Sequence, residues 1–192
     1  IRVAYFFTSF PKLSERFLQR EIEGLNQYTD LKVEIHSLFG RGCNTFESYP
    51  VIRFTVRDWI NFPIRFLFEL FKNPSVFFNM FLLSVRNRPK SSINALEHLL
   101  GLSYAVVRAA EFRKAPSGSI HAAWATGPAS AALFLHHINN TPFSIGCHAY
   151  DLFRDGGDML LLEKSKAAEF IHTSTSMARS ELIRRGVTAE KV

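Results

Sequence analysis

The stretch "PFSIGCHAYDLF", residues 142–153, runs as an apolar strand and delivers His148 and Asp151 where the apolar run stops. A histidine titrates near neutrality and can donate or accept a hydrogen bond. An aspartate three residues on has two uses, to orient that ring or to cap the following helix. Three other polar turns carry comparable chemistry. "TSFPKLSERF", Thr8–Phe17, presents Ser9, Phe10, Pro11, Ser14 and Glu15. Ser14 is placed to cap a helix, and Glu15 to complement its dipole. This turn lacks the G-x-G-x-x-G pattern that lets a pyrophosphate approach the backbone, which disfavours NAD or FAD there. "WATGPAS", residues 124–130, leads Thr126 and Gly127 into an alanine-rich helix. Free N–H groups at such a helix start suit an anion, while small residues equally suit tight packing of helix on sheet. Finally, Thr173–Ser176, with Thr175 in it, and Arg179 form a polar strand end that also reads as a simple N-cap. His121, His136, His137 and His172 show no metal spacing with His148. Cys43 and Cys147 lie far apart and imply neither a metal site nor a disulfide framework, so a reducing compartment is the simpler expectation.

Such turns need a frame, and the apolar pattern supplies one. "RVAYFF" (2–7) is a near-continuous apolar run, as in a strand buried on both faces. Leu18, Ile22 and Leu25 fall on one face of a helix capped by Ser14. Further strands are expected over 31–38, 51–56, 119–124, 143–148 and 168–174. Helices are expected over 58–87, interrupted at Asn73-Pro74, and over 91–113 and 127–138, with others near 156–167 and over 177–185. Strands alternating with helices imply one doubly wound α/β domain, a mostly parallel sheet with helices on both faces. Ligands of such sheets bind beyond the carboxyl ends of the strands, where all four polar turns fall.

At 192 residues, 47% apolar and 21% charged, the chain can bury a sizeable core, and wholesale disorder is disfavoured. The net charge of +6 is uneven: residues 53–90 hold seven basic residues against Asp58 and Glu69, together with Trp59 and eight of the nineteen Phe. Basic charge mixed with aromatics suits a membrane surface, an anionic lipid or nucleic acid. The uncharged run Asn73–Val85 is shorter than the roughly twenty residues of a membrane span.

Together the motifs resemble a known family. "FPKLSERFLQREIEGL" is similar to the "FPxLSETFxxxEIxxL" start of a group of bacterial glycosyltransferases. "IHAAWATGPASAALFL" is similar to their "HxHFATGPAxxAxxL", "PFSIGCHAYDLF" to "PFSFTAHAHDIF", and "AAEFIHTSTSMARSEL" to "AxFVxTISxxNRxxL". Four segments in order resemble the N-terminal, Rossmann-like half of a family 4 glycosyltransferase of GT-B fold, of the exopolysaccharide or colanic acid type. Departures occur at Tyr150 and Ala123, where the family patterns carry His, and the glycine pair often found after the first strand of the wider superfamily is absent.

The resemblance implies that residues 1–192 form a single acceptor-side domain. The nucleotide-sugar donor is then held mainly by a second domain absent from this chain, and the segment alone is expected to be inactive. It implies sugar transfer with retention to a saccharide or polyprenyl-linked acceptor, with neither cofactor nor metal. His148 falls on the first His of the family's "HAHD" and Asp151 on its Asp. Ser9, Phe10, Pro11, Ser14, Glu15, Thr126, Gly127, Thr175 and Arg179 are expected to line the substrate cleft. Arg57, Trp59, Arg65, Lys72, Arg86 and Arg88 are expected to meet an anionic membrane, rather than nucleic acid, at the cytoplasmic face. The bland alternative is that the aromatics are core and the charges solvated.

Overall fold

A computed structural model describes residues 2–40, 42–47, 49–114 and 118–192. Its centre is a seven-stranded sheet in the order β3-β4-β2-β1-β5-β6-β7, parallel except for the β3–β4 pair. The strands are β1 (Arg2–Phe7), β2 (Lys32–Ser37), β3 (Thr45–Phe46), β4 (Tyr49–Arg53), β5 (Ser119–Ala122), β6 (Phe143–Gly146) and β7 (Ile171–His172). The chain leaves β1 through α1 (Arg16–Tyr28) towards β2, then returns to lay β5 on the other side of β1. That reversal opens a crevice beyond the carboxyl ends of β1 and β5.

Alternation along the strands divides the core between the two faces of the sheet. Tyr5, Phe7, Val33 and Ile35 meet Leu18 and Ile22 of α1 on one face. Ala4, Phe6, Ile120 and Ile145 belong to the core on the other face, with α4 (Ser92–Lys114), α5 (Gly127–Asn139) and α7 (Leu161–Ala167). Between α4 and α5 the backbones nearly touch. A Cβ at Gly101 would lie 2.2 Å from the Gly127 carbonyl oxygen, and one at Gly127 would lie 2.7 Å from that of Glu97. Gly127 therefore packs helix against helix, with no room for a side chain.

Several elements begin or end away from their expected limits. The third strand stops at Arg53, because Thr55 caps α2 (Val56–Lys72): its hydroxyl accepts from the Asp58 N–H, and its own N–H donates to Asp58 Oδ2 at 2.7 Å. The break at Asn73-Pro74 is where expected, with Pro74 opening α3 (Pro74–Arg86). Ser14 does not cap α1. A 3-10 turn over Leu13–Glu15 intervenes, closed by Glu15 N–H to Lys12 O, and Glu15 takes the N-cap position without a side-chain bond. The helix expected near 156–167 is cut back to α7, which starts only at Leu161 because Gly157 and Leu160 adopt φ of +101° and +59°; a short α6 (Tyr150–Phe153) and a 3-10 turn precede it. The last helix, α8 (Ser176–Arg184), is followed by Gly186 at φ +98°. Among the described residues no helix is long and apolar enough to cross a membrane.

Candidate functional site

His148 lies two residues past β6, and its ring faces the shared mouth of the strand ends. Phe17 at the start of α1 stands edge-on at 5.2 Å, Trp124 beyond β5 at 5.1 Å, and His172 of β7 at 5.8 Å. Nδ1 is 3.5 Å from Ser174 Oγ. Only 8% of the residue is exposed. Burial, then the neighbouring His172, push its pKa down to about 4, so the imidazole is neutral at pH 7. It offers a fixed, uncharged hydrogen-bonding group where turns from four strands meet.

Asp151 has a different task from its neighbour. Oδ1 accepts from the His148 backbone N–H and Oδ2 from that of Ala125, both at 3.0 Å. The carboxylate thus ties the turn after β6 to the turn after β5 and is sealed from solvent. It does not cap α6, whose N-cap is Ala149. Burial raises its pKa against the pull of those amides. A second clamp comes from Lys164 of α7. Its ammonium pairs with Asp158 and donates to the carbonyls of Ala125 (2.7 Å) and Thr126 (3.2 Å). Asp158 in turn donates its N–H to the Asp151 carbonyl at 2.9 Å.

The other expected residues divide between mouth and frame. Thr126 Oγ1 lies 3.5 Å from Thr8 Oγ1, across the crevice between β1 and β5. Ser9 is half-buried beside Gly40, while Pro11 and Ser14 are exposed. Glu15 pairs with Lys12 at 3.1 Å. Phe10 does not line the cleft: its ring is sealed against Phe7 and Phe46, and its carbonyl accepts from Arg53. Thr175 caps α8 by accepting from the Ala178 N–H at 3.1 Å. With Arg179 it walls a cavity of about 360 Å3 beyond β7. Arg57, Arg65, Lys72, Arg86 and Arg88 are all exposed, and Trp59 is 48% exposed against Phe54.

Sequence reasoning missed the walls around His148. Trp124, one of two tryptophans, lies two residues past β5, and that position was its signal. Phe17 and Lys164 gave none, since each reads as an ordinary helix residue. Among the described residues no three His, Cys, Asp or Glu side chains converge as a metal site requires.

Fold and mouth together define a class: a Rossmann-like α/β domain with its polar cluster at the topological switch point. Among solved structures the chain is similar to a lipopolysaccharide outer core galactosyltransferase, WaaB, in its apo form, a GT-B glycosyltransferase. The TM-score is 0.58 at 9% identity, over all of this chain and 44% of that one. The chain thus spans less than half of that neighbour, and the likeness is one of fold. No family model matches the sequence, and no curated protein does.

Proposed function

We propose that the chain is the N-terminal, acceptor-side domain of a glycosyltransferase of family 4 type. In this reading it moves a sugar with retention from a nucleotide-sugar donor to a lipid-linked saccharide in polysaccharide assembly. The work is done at the cytoplasmic face of an anionic membrane, and the donor nucleotide rests chiefly on a second domain. The observation that carries the reading is the neutral His148 ring at the joint mouth of β1, β5, β6 and β7.

Transfer breaks the bond between the anomeric carbon and the donor phosphate and forms one to the acceptor oxygen. The acceptor's proton passes to the departing phosphate, so no carboxylate base is needed, in keeping with Asp151 being committed to two amides. Negative charge grows on the leaving group, and preorganised donors near it lower the barrier. A neutral imidazole can donate one such bond, to sugar or phosphate, without a charge to desolvate. No metal or cofactor enters this scheme.

The test is radiolabelled donor incubated with full-length protein and lipid extract. Label in the lipid supports transfer. An altered free sugar nucleotide would instead mean an epimerase, and neither product a non-catalytic membrane adaptor. His148→Ala should lower turnover about a hundredfold, the usual scale for one preorganised donor, with the thermal midpoint little changed. An unaltered rate removes His148 from the site.

A further inference from the structure

Helix α2 is apolar on two sides. Phe62 and Phe66 pack inward against the core, while Val56, Ile60, Ile64, Leu67 and Phe71 point outward at 52–82% exposure. Behind it, α2, α3 and α4 enclose an apolar groove of about 420 Å3, within the size range of ligand sites. Phe66, Phe77 and Leu102 are among its walls, and its exposed rim is Phe81, Val85 and Leu99. The one titratable group in its lining, His98, is fully engaged: Nδ1 meets Ser130 Oγ at 2.9 Å and Nε2 meets Ser84 Oγ at 3.1 Å. Burial holds its pKa near 3, so the groove carries no charge.

The groove ends at the turn that follows α3. Val85 in the last turn of α3 and Pro89 beyond it wall the groove, while Arg86, Arg88 and Lys90 of the same stretch wall a second cavity of about 650 Å3. Met159 borders both, and Arg184 stands in the second. The acids there are Glu163 and Asp158, and the latter is taken by Lys164. Arg86 and Arg88 have no ion-pair or hydrogen-bond partner among the described residues. An uncharged groove and a neighbouring cationic bowl, with Met159 in the wall of both, together have the polarity of a single-chain amphiphile with an anionic head.

We infer that the groove between α2, α3 and α4 holds the hydrocarbon chain of a single-chain lipid phosphate, whose phosphate sits in the basic cavity beside Arg86 and Arg88. The occupant is fixed by charge complementarity. A neutral chain would leave the bowl unused, and free phosphate would leave the groove empty. The outward stripe of α2 gives the lipid a membrane to come from. This deepens the acceptor side of the proposed transfer and rests on that reading only for the lipid's role in turnover.

The test measures binding without turnover. Alkyl phosphates of six to twelve carbons are titrated calorimetrically into the protein below their aggregation limits, with dodecyl maltoside, inorganic phosphate and a short two-chain phosphatidic acid for comparison. Affinity should rise roughly fourfold per added methylene, as burial of a CH2 group dictates. Dodecyl phosphate should bind at least tenfold tighter than each comparison compound. Arg86→Glu with Arg88→Glu, both at exposed positions, should abolish the advantage of the phosphate head and keep the chain-length slope. Ala95→Phe or, independently, Ser103→Phe should fill the groove and flatten the slope while the head preference stays. A flat slope in the unaltered protein, a slope untouched by both fillings, or equal binding of maltoside, free phosphate or the two-chain lipid overturns the inference. Alkyl phosphate binding without sugar transfer would defeat the enzymatic reading and leave the groove intact.

Discussion

The mouth at the strand ends and the helices over 56–86 solve opposite problems. At the mouth, polar groups are buried and matched: Asp151 holds two amides, Lys164 a carboxylate and two carbonyls, and His121 the Ser144 hydroxyl at 2.8 Å. In the helices, large apolar groups stand in water, with Phe71 at 82% and Ile64 at 72% exposure. Desolvating polar groups costs stability unless each is met, so the mouth is a place where geometry is held fixed. Exposed apolar area is burial not yet realised, available to a surface that arrives later. The first region should therefore govern folding and turnover, and the second where the protein sits.

The largest effect should come from breaking a match at the mouth. Lys164→Met leaves Asp158 buried without its cation, a change that typically costs about 3–5 kcal/mol. Urea unfolding should register that loss, and the turn carrying Trp124 and Thr126 should loosen with it. A loss below about 1 kcal/mol would mean that the clamp is ornamental and would erase the contrast.

Acid should act on the same region. Burial lowers the pKa of both His121 and His148 to about 4, whereas in the unfolded chain both sit near 6.5. Between those limits the unfolded state binds more protons, so stability falls as pH drops from about 6.5 towards 4. For His121 alone the loss is on the order of 3 kcal/mol. Asp151 and Asp158, both raised by burial, work the other way as pH falls towards 4. His121→Gln should make the unfolding free energy less steep in pH by about one proton. An unchanged slope would show that His121 is not protonated on unfolding.

The two regions were also unequally legible in the sequence. β1 was readable because a strand buried on both faces leaves an unbroken apolar run, and the split at Asn73-Pro74 because a proline acts on its own neighbours. The spacing of His148 and Asp151 marked out the turn after β6, but the division of labour between them hung on Ala125, which only the sheet brings near. Phe10 read as a cleft residue since an aromatic in a polar turn looks the same whether it faces ligand or core. Lys164 was invisible because its partners include carbonyls 38 and 39 residues away, and its aspartate lies beyond the left-handed Leu160. The exposed stripe of α2 was hidden for another reason: a helix apolar on both sides gives no sequence sign of which side is covered.

At the rim of the mouth the effect should be smaller. Thr175→Ala removes the acceptor for the Ala178 N–H at the start of α8 and should cost about 1 kcal/mol. Thermal unfolding measures it, and Thr175→Ser should restore most of the loss. If serine fails to rescue, the methyl group rather than the cap is what matters there.

The smallest change in stability should come from the opposite region and carry the largest change in location. Ile64 and Phe71 are mostly in solvent, so Ile64→Ser with Phe71→Ser should alter the unfolding free energy by no more than about 0.5 kcal/mol each. The same pair should sharply reduce sedimentation with anionic vesicles, because an interfacial helix binds through its apolar face. Arg57, Arg65 and Lys72 are exposed on the same helix, and each can add about 1 kcal/mol near an anionic surface. Charge neutralisation should therefore weaken binding to anionic vesicles while leaving the weak binding to neutral ones unchanged. If the serine pair unfolded the protein, the stripe would be part of the core's support. If it left vesicle binding intact, the exposed surface would serve something other than a membrane, and the contrast between a fixed mouth and an open flank would lose its second half.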